Sequence, residues 1–90
     1  LMLNSFREEA KKFVRDFDTQ LQRGDFSLMR QIAHRMKPTG SYIGAISLTA
    51  HIRTLEDSSE KGDYGAAKLV FEQVRKLINN ILIEIEKVID

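Results

Sequence analysis

The stretch that decides the fold is Ala67-Lys68-Leu69-Val70-Phe71-Glu72-Gln73-Val74-Arg75-Lys76-Leu77-Ile78-Asn79-Asn80-Ile81-Leu82-Ile83-Glu84-Ile85-Glu86-Lys87-Val88. The six isoleucine and valine residues after Val74, counting Ile89 just beyond this stretch, have the β-branched character of strands, so a sheet is the competing reading. The period favours a helix. Ala67, Val70, Phe71, Val74, Leu77, Ile78, Ile81, Leu82, Ile85 and Val88 recur at three and four over about 26 residues, and Glu72 and Lys76 have the spacing of a helical ion pair. At 1.5 Å per residue this helix outreaches any other in the chain.

Working back from it, Glu60-Lys61-Gly62-Asp63 reads as a loop. A third helix runs from about Gly44 to Ser58, burying Ala45, Leu48, Thr49, Ile52 and Leu55 and turning Ser47, His51, Thr54 and Ser58 the other way. A second starts at Asp25 or Ser27, with Phe26, Met29, Ile32, Ala33, Met36, Gly40 and Ile43 on its apolar face and Pro38 interrupting the pattern. The first carries Phe6, Ala10, Phe13, Phe17 and Leu21, with Ser5 as N-cap, Glu8 completing a capping box and Gly24 as the stop. Short connections force sequential helices together, so the expected fold is all-α, an antiparallel up-down-up-down four-helix bundle in one domain over residues 1–90.

Ninety residues, 42% hydrophobic and 30% charged, hold one such domain and leave no room for a nucleotide-binding sheet or a kinase scaffold. A net charge of +1 gives no general field for nucleic acid or an anionic membrane. Without cysteine there is no disulfide framework, thiolate nucleophile or Cys-based zinc site, and a cytoplasmic setting is expected. The apolar run Leu77–Ile85 is broken by Asn79, Asn80 and Glu84 and cannot span a bilayer. The leading Leu1 lacks the context of a signal peptide and points to a piece of a longer chain.

Chemistry concentrates in Ala33-His34-Arg35-Met36-Lys37-Pro38-Thr39-Gly40-Ser41-Tyr42-Ile43-Gly44-Ala45. On a helical wheel His34 lies about 200° from Ile32 and Met36, facing solvent, and Arg30, Lys37 and Ser41 share its face. Such an imidazole, with a free pKa of about 6.5, offers a neutral nucleophile near pH 7, and basic neighbours attract an anionic reactant. On periodicity alone the ordinary solvated histidine is the leading reading, and the geometry permits a function without requiring one. His51 has no partner at metal-ligand spacing, neither histidine has a supporting Ser and Asp for hydrolysis, and Met29 and Met36 read as core filling.

The pattern of His34, Lys37 at +3, a small-residue segment, Gly44-Ala45 at +10 and +11, Leu48 and Leu55 downstream, and Gly62-Asp63 before the last helix resembles histidine-containing phosphotransfer (Hpt) domains. The resemblance spans about 35 residues directly and extends loosely over the chain. It implies a relay in which a receiver-domain aspartyl phosphate passes to Nε2 of His34 and then to another receiver aspartate. It further implies that Lys37 neutralises phosphate oxygens, and that Arg30, Arg35, Pro38, Ser41 and Tyr42 contact the receiver, with Leu28 and Ile46 at the rim. This domain itself is expected to bind no cofactor, Mg²⁺ being supplied by the receiver, and to act as a monomer. A hybrid sensor kinase is the parent chain the resemblance suggests. Pro38 departs from the family, which usually has glycine there; a kink and a re-aimed Lys37 are the expected consequences. The competing reading is a helical interaction module without chemistry. A pseudo-phosphotransfer domain is a further alternative, but it would normally lose the histidine that stands here.

Overall fold

Two glycines set the direction of the chain. In the computed structural model, which describes residues 2–42 and 45–89, Gly24 and Gly62 both take φ +68°, a left-handed conformation that costs other residues strain. Each sits where one helix ends and the next begins. The four helices are α1 (Met2–Arg23), α2 (Phe26–Tyr42), α3 (Ile46–Glu60) and α4 (Tyr64–Ile89). Asp25 and Asp63 follow the glycines and cap the next helix: Asp25 Oδ1 accepts from the Leu28 amide and Asp63 Oδ1 from the Ala66 amide, each at 3.1 Å. The helices pack in a ring, α1 on α2, α2 on α3, α3 on α4 and α4 on α1, which is the expected antiparallel bundle. No strand occurs among the described residues.

The core follows the apolar stripes. Phe6, Ala10, Phe13, Phe17 and Leu21 of α1 meet Met29, Ala33 and Met36 of α2, Leu48, Ile52 and Leu55 of α3, and Ala67, Phe71, Val74, Ile78 and Ile85 of α4. Phe17 and Phe71 lie 4.7 Å apart between ring centroids, and Phe13 meets Phe71 edge-on at 6.4 Å, so aromatic packing ties the first helix to the last. At Gly40 a Cβ would stand 2.8 Å from Thr49 Oγ1, so the missing side chain lets α2 and α3 approach closely.

Several boundaries differ from the sequence reading. Helix α1 already runs from Met2, leaving Ser5 inside it: nothing in Leu3 or Asn4 breaks the helix, so the Ser5–Glu8 pair is not its start. Helix α3 continues to Glu60, and Ser58 and Ser59 are buried, because the chain reverses directly over them. The amides of Lys61, Gly62 and Asp63 donate to the carbonyls of Asp57, Ser59 and Ser58. Val88 is exposed, lying past Glu86, which Arg7 of α1 holds at 3.0 Å. Glu72 pairs with Arg75 at 3.8 Å rather than with Lys76, because Arg75 is drawn along the same face toward Asp18 at 3.4 Å. Pro38 does not end α2, which continues to Tyr42. Both Pro38 and His34, whose carbonyl loses its partner, are exposed, so water can replace the missing amide. Ile43 and Gly44 lie outside the described residues.

Candidate functional site

His34 projects from the middle of α2 because its helical phase opposes Met36, which is buried. Its side chain keeps 59% of its surface exposed. One edge of the ring is nevertheless fixed: Nδ1 lies 2.7 Å from Glu56 Oε2 on α3. An ionised carboxylate only accepts, so Nδ1 carries the proton and donates it to Glu56, which leaves the outer Nε2 with its lone pair free.

Glu56 is shared. Its second oxygen, Oε1, lies 2.7 Å from Lys37 Nζ, one turn beyond His34 on α2. The carboxylate is only 17% exposed and Lys37 29%, so this bridge forms at the closely packed α2–α3 seam rather than in open water. The Lys37 hydrogen bond, joined by that from His34, holds the Glu56 carboxyl below its ordinary value near 4.5 against the opposing effect of burial.

The other residues singled out from sequence divide around α2. Arg30 is half-buried and Ser41 exposed on the helix that carries His34, while Pro38 stands exposed one turn past it. Arg35 instead lines a cleft of about 290 Å³ between α1 and α2, with Glu9, Asp16 and Thr39. In that cleft Thr39 Oγ1 donates to Glu9 Oε2 at 2.6 Å. The basic set expected around the imidazole is therefore spread over two seams, with Lys37 facing α3 and Arg35 facing α1. Tyr42 closes α2, and its side chain lies outside the described residues. Leu28 is half-buried and Ile46 is exposed. His51 is occupied locally, its Nδ1 donating to the Ser47 carbonyl at 2.7 Å. No group of three or more metal-ligating side chains occurs among the described residues.

Glu56 is the site residue that sequence reasoning missed. It lies 22 positions from His34, beyond any local spacing rule. The signal was the hairpin: in an antiparallel pair folding back near residue 45, the residue facing His34 is the one equally far beyond the turn, which is Glu56.

Comparison with known proteins agrees with this geometry. The crystal structure of histidine-containing phosphotransfer protein B from Pseudomonas aeruginosa PAO1 superposes with a TM-score of 0.91 at 27% identity, covering 96% of this chain and 75% of that one. No curated protein matches. The Hpt domain family model matches residues 1–85. A bundle built on a histidine that points out of mid-helix, matched over nearly its whole length, thus belongs to the Hpt domain family and serves as a phosphorelay intermediate in two-component signalling.

Proposed function

We propose that His34 is the residue that carries the phosphoryl group, taking it from a receiver-domain aspartate and passing it to another. The observation that carries this reading is the Nδ1–Glu56 hydrogen bond on an otherwise exposed ring, which leaves Nε2 as the outward nucleophile. In the forward step the Nε2 lone pair attacks phosphorus, the bond from phosphorus to the aspartate oxygen breaks, and the aspartate leaves as carboxylate. The ring becomes an Nε2-phosphorylated imidazolium that still bears its Nδ1 proton. Glu56 then faces a positive charge that it did not face before, so it stabilises the product side of the transfer. Lys37 has three N–H donors; one serves Glu56, and another is available to an incoming phosphate oxygen.

Hpt proteins interact with receiver domains in phosphorelays. For this chain we infer a receiver that brings its own acidic pocket and Mg²⁺ and docks over Arg30, Pro38, Ser41 and Tyr42, with Arg35 at the α1 side. The domain works as a monomer in the cytoplasm, binding no cofactor of its own. No described helix is long and apolar enough to cross a membrane.

The test is transfer from a phosphorylated receiver with Mg²⁺ to the wild-type chain and to His34→Gln. Acid-labile, base-stable label is expected on the wild type and absent from the variant. Label persisting on His34→Gln would move the site elsewhere, with His51 next. Failure of every receiver of the source organism to transfer would overturn the relay at His34.

A further inference from the structure

We propose that the seam between α1 and α4 is a docking groove for an acidic amphipathic helix of a partner protein. In the ring of helices this seam lies opposite the α2–α3 seam that holds Glu56, and it is the one where the two helix backbones approach least closely. Between α1 and α4 is an open groove of about 540 Å³, with Val14, Ile78 and Leu82 among its lining residues. Ile78 is buried while Val14 and Leu82 are half-buried, so the apolar floor is incompletely covered by the bundle itself.

Two ion pairs join α1 to α4 on either side of the groove. Arg7 Nη1 reaches Glu86 Oε1 at 3.0 Å toward the start of α1, and Arg75 Nη2 reaches Asp18 Oδ1 at 3.4 Å toward its end. Between them the lining runs from Lys11 to Arg15 on α1 and from Arg75 to Leu82 on α4, about 10 Å or two turns of helix. An apolar trough of that length accepts the i, i+3/i+4, i+7 face of a short helix.

Charge selects the occupant. Lys11 and Arg15 stand on the α1 wall and Lys76 on the α4 wall, beside an Arg75 already engaged by Asp18 and Glu72, and no carboxylate is among the lining residues. Arg75 is held over the Phe71 ring at 5.1 Å, and its buried Nε has no hydrogen-bond partner. Cations on both walls of an apolar floor are complementary to a helix with acidic residues on both flanks of an apolar stripe. A second copy of this chain would set the same cations against each other, so self-association through this face is disfavoured.

The experiment uses a fluorescent synthetic peptide of about 15 residues, with leucine at the i, i+3, i+4 and i+7 positions and glutamate on both flanks. Saturable one-to-one binding by anisotropy is expected, with amide shift changes at Val14, Ile78 and Asn79 and none at His34. Arg15→Glu combined with Lys76→Glu, both at exposed positions, should weaken binding roughly tenfold or more while leaving receiver-dependent phosphorylation unchanged. A peptide with glutamine in place of glutamate should bind comparably weakly. No saturable binding, equal binding of the glutamine peptide, or shifts centred on His34 would overturn the proposal. So would capture by phosphatidylglycerol vesicles in place of the peptide, or a dimer through this face in sedimentation. Because the readout is binding on the seam away from His34, its failure is separable from failure of the relay.

Discussion

A carboxylate held between an imidazole and an ammonium does two jobs at once, and removing its charge or its atoms separates them. In Glu56→Gln an acceptor for Nδ1–H remains but the charge that would face the ring after the proposed transfer is lost. In Glu56→Ala both His34 and Lys37 are released. Phosphorylation by a receiver should slow in both, and by roughly 10- to 100-fold in Glu56→Ala, where the ring is no longer oriented. ¹⁵N imidazole shifts should report a single Nδ1–H tautomer in the wild type and a mixture in Glu56→Ala, a change that a purely structural role would not produce. Stability carries the same signature. The Glu56 carboxyl is held below its ordinary value near 4.5, so its contribution is fully present above that value and is lost as pH falls through the lowered folded value. Urea denaturation at neutral and acid pH should therefore show a larger acid loss for the wild type than for Glu56→Gln. His34 and Lys37 were legible in the sequence because they share one helix and one face. Glu56 was not, because its partnership exists only after α2 and α3 pair.

At the scale of the helix, Pro38 is the element that sequence rules treat as a break and the fold absorbs. It removes one backbone donor, yet α2 keeps its course to Tyr42, because Gly40 seats the helix against Thr49 and Met36 anchors it in the core. Tertiary packing has outweighed local propensity. Restoring the donor should then stabilise the chain: Pro38→Ala is expected to raise unfolding free energy by about 1–3 kcal/mol, read from the urea midpoint at unchanged slope. The same variant tests whether Lys37 depends on the proline, since a distance of 2.7 Å to Glu56 already places its ammonium across the seam. Helix phases, the stop at Gly24 and the loop around Gly62 were readable from the sequence because period and turn chemistry are local properties. The start of α1 and the burial of Ser58 were not, since one lacks a breaker and the other depends on a turn folding back.

For the molecule as a whole, stability rests on one continuous core in which Phe71 touches both Phe13 and Phe17. Truncating it removes the main aromatic link between the ends of the chain. Phe71→Ala should cost about 3–5 kcal/mol and lower the melting temperature by roughly 15 °C or more, measured by circular dichroism. The four-helix architecture was legible because four stripes with short connections admit few arrangements. The unequal closeness of its seams was not, since it depends on which side chains meet. The Arg7–Glu86 pair has one more consequence. It brings the beginning of α1 beside the end of α4, while both glycine turns lie at the other pole, where Gly62 sits against Phe26. A polypeptide entering this bundle therefore leaves it where it came in. The bundle can be spliced into a surface loop of a host protein without stretching the host, and it would stand out from that host as a spur with its imidazole partway along the shaft.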